Sequence, residues 1–142
     1  ANAGTLVLTG STLYDNSATA LGGGIFNQAT LGLTNSTVSG NRATSGSGGG
    51  IYGNSSASSI LNNCTLSNNS AASGGGIEAI SGLLQARNTI IAGNTATGLG
   101  QDITGSLNFI ATKLTLLALI FSSRAPSSTR QSAPTWARYL IR

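Results

Sequence analysis

The sequence predicts an all-β solenoid of about four coils, each about 26 residues long. Three observations lead to this fold class: an isoleucine recurs at a constant interval, short alternating apolar segments surround it, and glycine and asparagine hold fixed places in each repeat. A constant period in this range is typical of repeat proteins whose units stack on one another. The isoleucine column consists of Ile25, Ile51, Ile77 and Ile103, each 26 residues after the one before.

Two β-strands are predicted at the start of every repeat, because apolar and polar residues alternate there. The first strand occupies residues 6–9, 31–34, 60–62 and 84–87 in the four copies. The second strand occupies residues 11–16, 36–41, 64–69 and 89–94. A variable loop rich in alanine, serine and threonine follows, and glycine breaks every candidate helix before residue 105.

The same alternation predicts which side chains face the interior of the coil. If one repeat is one coil, equivalent residues stack in columns about 4.8 Å apart. We expect the asparagines that close the second strand to adopt the left-handed backbone conformation and to hydrogen-bond to one another as an asparagine ladder. The three inward columns are apolar (Leu13, Val38, Leu66, Ile91), small (Ser11, Ser36, Cys64, Thr89) and isoleucine (Ile25, Ile51, Ile77, Ile103), and the asparagines that close the second strand are Asn16, Asn41, Asn69 and Asn94.

A glycine triplet precedes each of the first three isoleucines, at residues 22–24, 48–50 and 74–76. The fourth copy departs from this pattern and reads Gly100-Gln101-Asp102. Glycine at these places indicates a sharp bend or a close approach between backbones. The triplets are not phosphate-binding loops, because they lack the Lys-Ser/Thr pair and the helix that such loops require.

The composition suits a protein outside the cell. Charged residues make up 7% of the 142 residues, and the polar surface comes mainly from serine, threonine and asparagine. Up to residue 110 the net charge is −1, whereas residues 111–142 carry five basic residues and no acid. No basic stripe follows the repeats, so nucleic acid is not an expected partner. A single cysteine excludes an internal disulfide bond.

Three segments resemble the right-handed parallel β-helix repeats of large bacterial surface proteins. They are LTNSTVSGN (residues 33–41), GGGI (residues 48–51) and NTIIAGN (residues 88–94), and the last is similar to the final coil of choice-of-anchor proteins and of polymorphic outer-membrane-protein relatives. The resemblance extends over residues 6–107. It implies a right-handed parallel β-helix on a bacterial cell surface or secreted from it, adhesin-like, with surface glycans or receptors of host or neighbouring cells as partners. It implies no catalytic residues.

Residues 1–107 are therefore predicted to form the β-helix, and residues 108–142 an atypical basic tail. Two interpretations of the tail stay open: a sequence foreign to the repeat, such as an out-of-frame segment, or a C-terminal cap followed by a disordered region. The apolar run at residues 109–121 is too short to span a membrane, which takes about 20 residues, and we expect it to cover the last coil. Exposed strand edges at the ends of the solenoid make end-to-end self-association a further expectation.

Two acids are candidates for a catalytic pair, because some parallel β-helices cleave polysaccharides. Glu78 and Asp102 flank the isoleucine column, and we expect both to point outward, about 8 Å apart. That separation would suit an inverting glycosidase. We favour two isolated surface acids, so the leading function is a structural or adhesin-like scaffold with no catalytic, cofactor-binding or metal-binding residue and no cofactor. The alternative is a fragment of a carbohydrate-active enzyme, a polysaccharide lyase or glycosidase.

Three other features of the sequence bear on function. Cys64 lacks any histidine to act as its base, so a buried structural thiol is expected. An outward threonine column at Thr12, Thr37 and Thr65 could belong to an ice-binding surface, but a second such column is missing, and ordinary exposed strand positions explain it better. The loops at residues 17–22, 42–47 and 53–58 vary between copies, as ligand-binding loops of solenoids do.

Overall fold

The computed structural model describes residues 1–105 and the backbone of a strand at residues 108–111. Its described part is all-β, without helices, and winds through about four turns. The predicted solenoid fold class is therefore confirmed. In chain order the strands are β1 (Thr5–Thr9), β2 (Thr12–Tyr14), β3 (Ser17–Ala18), β4 (Ile25–Asn27), β5 (Thr30–Thr34), β6 (Thr37–Ser39), β7 (Arg42–Ala43), β8 (Ile51–Gly53), β9 (Ser58–Asn62), β10 (Thr65–Ser67), β11 (Ser70–Ala71), β12 (Ile77–Ala79), β13 (Leu83–Arg87), β14 (Ile90–Ile91), β15 (Thr95–Ala96), β16 (Ile103–Thr104) and β17 (Asn108–Ala111).

Each coil contributes one strand to each of four parallel sheets. Sheet 1 contains β1, β5, β9, β13 and β17; sheet 2 contains β2, β6, β10 and β14. Sheet 3 contains β3, β7, β11 and β15; sheet 4 contains β4, β8, β12 and β16. The shortest strands, two residues each, belong mainly to sheet 3, where the sequence predicted only a loop. Two residues are too few for alternation to be recognised in a sequence.

The predicted interior columns are present. Ile51 pairs in register with Ile25 and Ile77, and Ile77 pairs with Ile103. Leu66 pairs with Val38 and with Ile91, and all three side chains are fully buried. Burying a side chain of this size stabilises the fold by about 1.5–3 kcal/mol, so stacking one coil on the next is the main source of stability.

The second strand of each repeat is shorter than predicted, because the chain turns before the ladder asparagine. A single residue with a positive φ makes this corner in every coil. The prediction that the ladder asparagines themselves adopt the left-handed conformation was therefore wrong. The preceding residue takes up the bend, which leaves the asparagine side chain directed into the coil. The corner residues are Asp15 (φ 56°), Gly40 (67°), Asn68 (56°) and Gly93 (71°).

Strand β17 adds a fifth strand to sheet 1, in register with β13. It lies where the sequence predicted the atypical tail to begin. Residues 106–107 and 112–142 lie outside the described residues, so the interpretations of the tail remain predictions. In the described part, no helix is long and apolar enough to cross a membrane.

Candidate functional site

The asparagine ladder is the most regular polar feature of the interior. The Nδ2 group of Asn41 donates a hydrogen bond to Asn69 Oδ1 (2.9 Å), and Asn69 donates in the same way to Asn94 (2.9 Å). The backbone N–H of each donor residue also donates to that same oxygen, at 3.0 Å. All three residues are buried. Buried amides that satisfy one another in this way hold adjacent coils in one register.

The ladder has a direction and ends on an acid. From one ladder residue to the next, the amide always donates towards the C-terminal coil. The last one, Asn94, donates to Asp102 Oδ1 through both its backbone N–H (3.0 Å) and its Nδ2 (2.9 Å). Asp102 is only 4% exposed. The prediction that Asp102 points outward was therefore wrong. A carboxylate only accepts hydrogen bonds, which is what the end of a row of donors requires.

The glycine triplets explain why an acid occurs at position 102 and not at the equivalent positions 24, 50 and 76 of the earlier repeats. A Cβ added to Gly50 would lie 3.1 Å from Asn69 Nδ2, and one added to Gly76 would lie 2.8 Å from Asn94 Nδ2. The third glycine of each triplet therefore leaves room for the ladder asparagine of the next coil. Asp102 occupies the equivalent position in the fourth repeat, and its own side chain fills that room.

The loss of glycine at position 102 is a signal that sequence reasoning could have used. The column reads Gly24, Gly50, Gly76 and then Asp102. Because a side chain fits there only where no further ladder amide follows, the change marks the end of the ladder. Alternation relative to the neighbour Ile103 predicts an outward direction for Asp102, because alternation takes no account of the glycine column.

Glu78 does not form a pair with Asp102. It faces outward from sheet 4, in register with Tyr52 and Thr104, whereas Asp102 faces the interior ladder. Its Oε2 atom is buried and has no hydrogen-bond partner. The wall of the coil thus separates the two carboxylates, and the inverting pair, which was the less favoured alternative, is not formed. The third acid, Asp15, is an exposed corner residue.

Cys64 lies in the column of small residues and is buried. Its thiol donates to the carbonyl of Asn62 (3.2 Å), and its backbone N–H donates to Thr89 Oγ1 (3.3 Å). Burial raises the pKa of the Cys64 thiol, and this effect exceeds the lowering by backbone hydrogen bonds with Ser36 and Asn62. The thiol therefore stays protonated near neutral pH, which agrees with a structural role.

A groove of about 320 Å³ lies on the outer surface of sheet 3. One row of its lining runs in register along the solenoid through Arg42, Ser70 and Thr95. A second row contains Thr44, Ala72 and Thr97. Arg42 is the one charged residue among the described residues of the lining, and it is exposed. The sequence had placed Arg42 in a variable loop, but not beside the hydroxyls of the following coils.

The remaining predicted features are scattered over the outer surface. Thr12, Thr37 and Thr65 do stack in register on sheet 2, but the next residue of that row is Ile90. Within residues 1–105 and 108–111, no group of three or more histidine, cysteine or acidic residues could hold a metal ion. Comparison of the chain with protein-family models, with curated proteins and with solved structures finds no match.

Proposed function

We propose that this protein is a non-catalytic, adhesin-like scaffold that acts outside a bacterial cell or on its surface. One observation carries the proposal: the interior repeats from coil to coil, whereas the outward rows change. Phe26, Tyr52, Glu78 and Thr104 occupy one outward row, so equivalent positions present an aromatic ring, a carboxylate and a hydroxyl in turn. A constant core with a variable exterior is the usual design of a solenoid that displays binding groups.

Composition supports the extracellular location. The surface of the repeats is rich in hydroxyl and amide groups and poor in charge. Surface glycans, or receptors of host or neighbouring cells, are therefore the partners that we propose. Their polar, mostly uncharged groups match what the repeats offer.

The placement of the acids argues against hydrolysis by the described coils. A glycosidase of the common kind needs two carboxylates that face each other across the scissile bond. Asp102 is engaged by the Asn94 amide in the interior, and Glu78 lies on the outside of the wall. No observation favours the carbohydrate-active alternative over the scaffold.

The test has a binding arm and a turnover arm. The purified, folded chain is immobilised and exposed to a panel of neutral and acidic glycans and to intact bacterial and animal cells. The same glycans are then assayed for new reducing ends and for unsaturated products. We expect binding to at least one glycan or cell surface without turnover. Turnover that disappears in Glu78→Gln would establish an enzyme instead.

A further inference from the structure

We propose that the groove on sheet 3 binds an acidic polysaccharide, with Arg42 holding a carboxylate or sulfate group of one sugar. This inference deepens the proposed adhesive function and rests on it. The groove has a volume of about 320 Å³, which is at the lower end of the range for ligand sites, roughly 300–1,000 Å³. Because its lining extends across three successive coils, an extended chain fits it better than a compact ligand.

The charge in the groove has no counterpart in the part of the chain that the structure describes. The Arg42 guanidinium is exposed, and it makes no ion pair or side-chain hydrogen bond with the described residues. None of the described residues that line the groove is an acid. A guanidinium presents two parallel N–H donors, which match the two oxygens of a carboxylate or sulfate. The charge and its geometry therefore favour an anionic group at this point.

Hydroxyl groups continue from Arg42 along the axis of the solenoid. Ser70 and Thr95 follow it in register, at the strand spacing of about 4.8 Å. Within the described part of the chain, the hydroxyls of Ser70, Thr95 and Thr97 have no hydrogen-bond partner. Ala72, in the second row, adds an apolar methyl group to the lining. Such a surface offers hydrogen bonds to sugar hydroxyls and an apolar contact to a ring face.

Other polyanions fit this groove less well. Single-stranded nucleic acid needs aromatic side chains for stacking and several cations along its backbone. Among the described residues, the lining has no aromatic side chain and only one cation. A polymer with one acidic group among many hydroxyls matches the single guanidinium and the row of hydroxyls. That description fits an acidic polysaccharide.

The test is calorimetric titration with three hexasaccharides of equal length: an oligogalacturonate, a sulfated oligosaccharide and uncharged maltohexaose. We expect the full chain to bind an acidic one and to bind maltohexaose more weakly. Arg42→Gln should lower the affinity by at least about tenfold. Arg87→Gln is the matched control, because Arg87 is also exposed and lies on sheet 1, away from the groove.

The outcomes of the titration identify the bound acidic group or overturn the inference. Preference for the galacturonate or for the sulfated sugar tells which acidic group is bound. Equal losses in Arg42→Gln and Arg87→Gln would mean unspecific charge attraction and overturn the inference, as would an unchanged affinity in Arg42→Gln. If the wild-type chain binds neither acidic sugar but still binds neutral glycans or cells, this inference fails while the scaffold function stands. Circular dichroism of both variants verifies that they fold.

Discussion

Replacing Asp102 with alanine removes the acceptor at the end of the asparagine ladder. The Asn94 backbone N–H then loses its hydrogen-bond acceptor, Asp102 Oδ1, and the Asn94 Nδ2 group keeps only its bond to the Leu66 carbonyl (3.1 Å). Leaving a buried N–H unsatisfied costs about 1–3 kcal/mol, and losing one further hydrogen bond costs about 0.5–1.5 kcal/mol. Asp102→Ala should therefore lower the free energy of unfolding by about 2–4 kcal/mol.

Urea-induced unfolding at 25 °C measures this change, and Asp102→Asn is the matched control. An asparagine keeps the Oδ1 acceptor, loses the charge and carries an NH2 group in place of Oδ2, so we expect a decrease of less than about 1 kcal/mol. If alanine costs no more than about 0.5 kcal/mol, or if asparagine is as harmful as alanine, Asp102 does not close the ladder and our reasoning is refuted.

Three further predictions concern the interior. Gly50→Ala should lower the free energy of unfolding by about 1–3 kcal/mol, because the added Cβ would lie 2.6 Å from a backbone oxygen. Gly4→Ala is the control and should be neutral, because nothing lies within 4 Å of its added Cβ. Equal urea midpoints for the two variants would contradict this prediction. Asn69→Ala should lower the free energy of unfolding by about 3–5 kcal/mol, because it breaks the ladder in its middle. Asn16→Ala should lower it clearly less, because Asn16 lies in the first coil. Thermal unfolding compares the two variants, and a larger loss in Asn16→Ala would contradict the prediction. Burial raises the pKa of Cys64 above the ordinary 9.0. The thiol's contribution to stability should therefore be intact below pH 9 and should decrease as the pH rises further. Unfolding curves at pH 8 and pH 10 measure this decrease, which Cys64→Ser should lack.

The stacked columns could be predicted from the sequence because stacking forces equivalent residues into equivalent environments. Ile25, Ile51 and Ile77 keep a constant interval for this reason, and period-two alternation gives the inward direction within a strand. Alternation says nothing about corners. The corner at Gly40 and the two-residue strand β7 were therefore missed, as was the true backbone conformation of Asn41.

The candidate site was harder to predict, because it depends on which coils lie next to each other and on where the row of ladder amides ends. The direction of Asp102 follows from the absence of a further amide beyond Asn94 in the described part, which is a property of the stack and not of the local sequence. Arg42 was recognised as part of a variable loop. Its alignment with Ser70 could not be read directly, because the interval between them is 28 residues rather than 26.

The single direction of the asparagine ladder makes the two ends of the solenoid unequal. At one end Asp102 receives both donors of Asn94, whereas in the described residues nothing donates to the Oδ1 of Asn16. Leu6, Leu8 and Leu13 of the same first coil are also only partly buried. Amide hydrogen exchange in this chain should therefore be faster in the first coil than in the second and third coils, whose ladder asparagines are paired on both sides. The ladder thus gives the solenoid a polarity, because each coil offers an acceptor to the coil before it and donors to the coil after it.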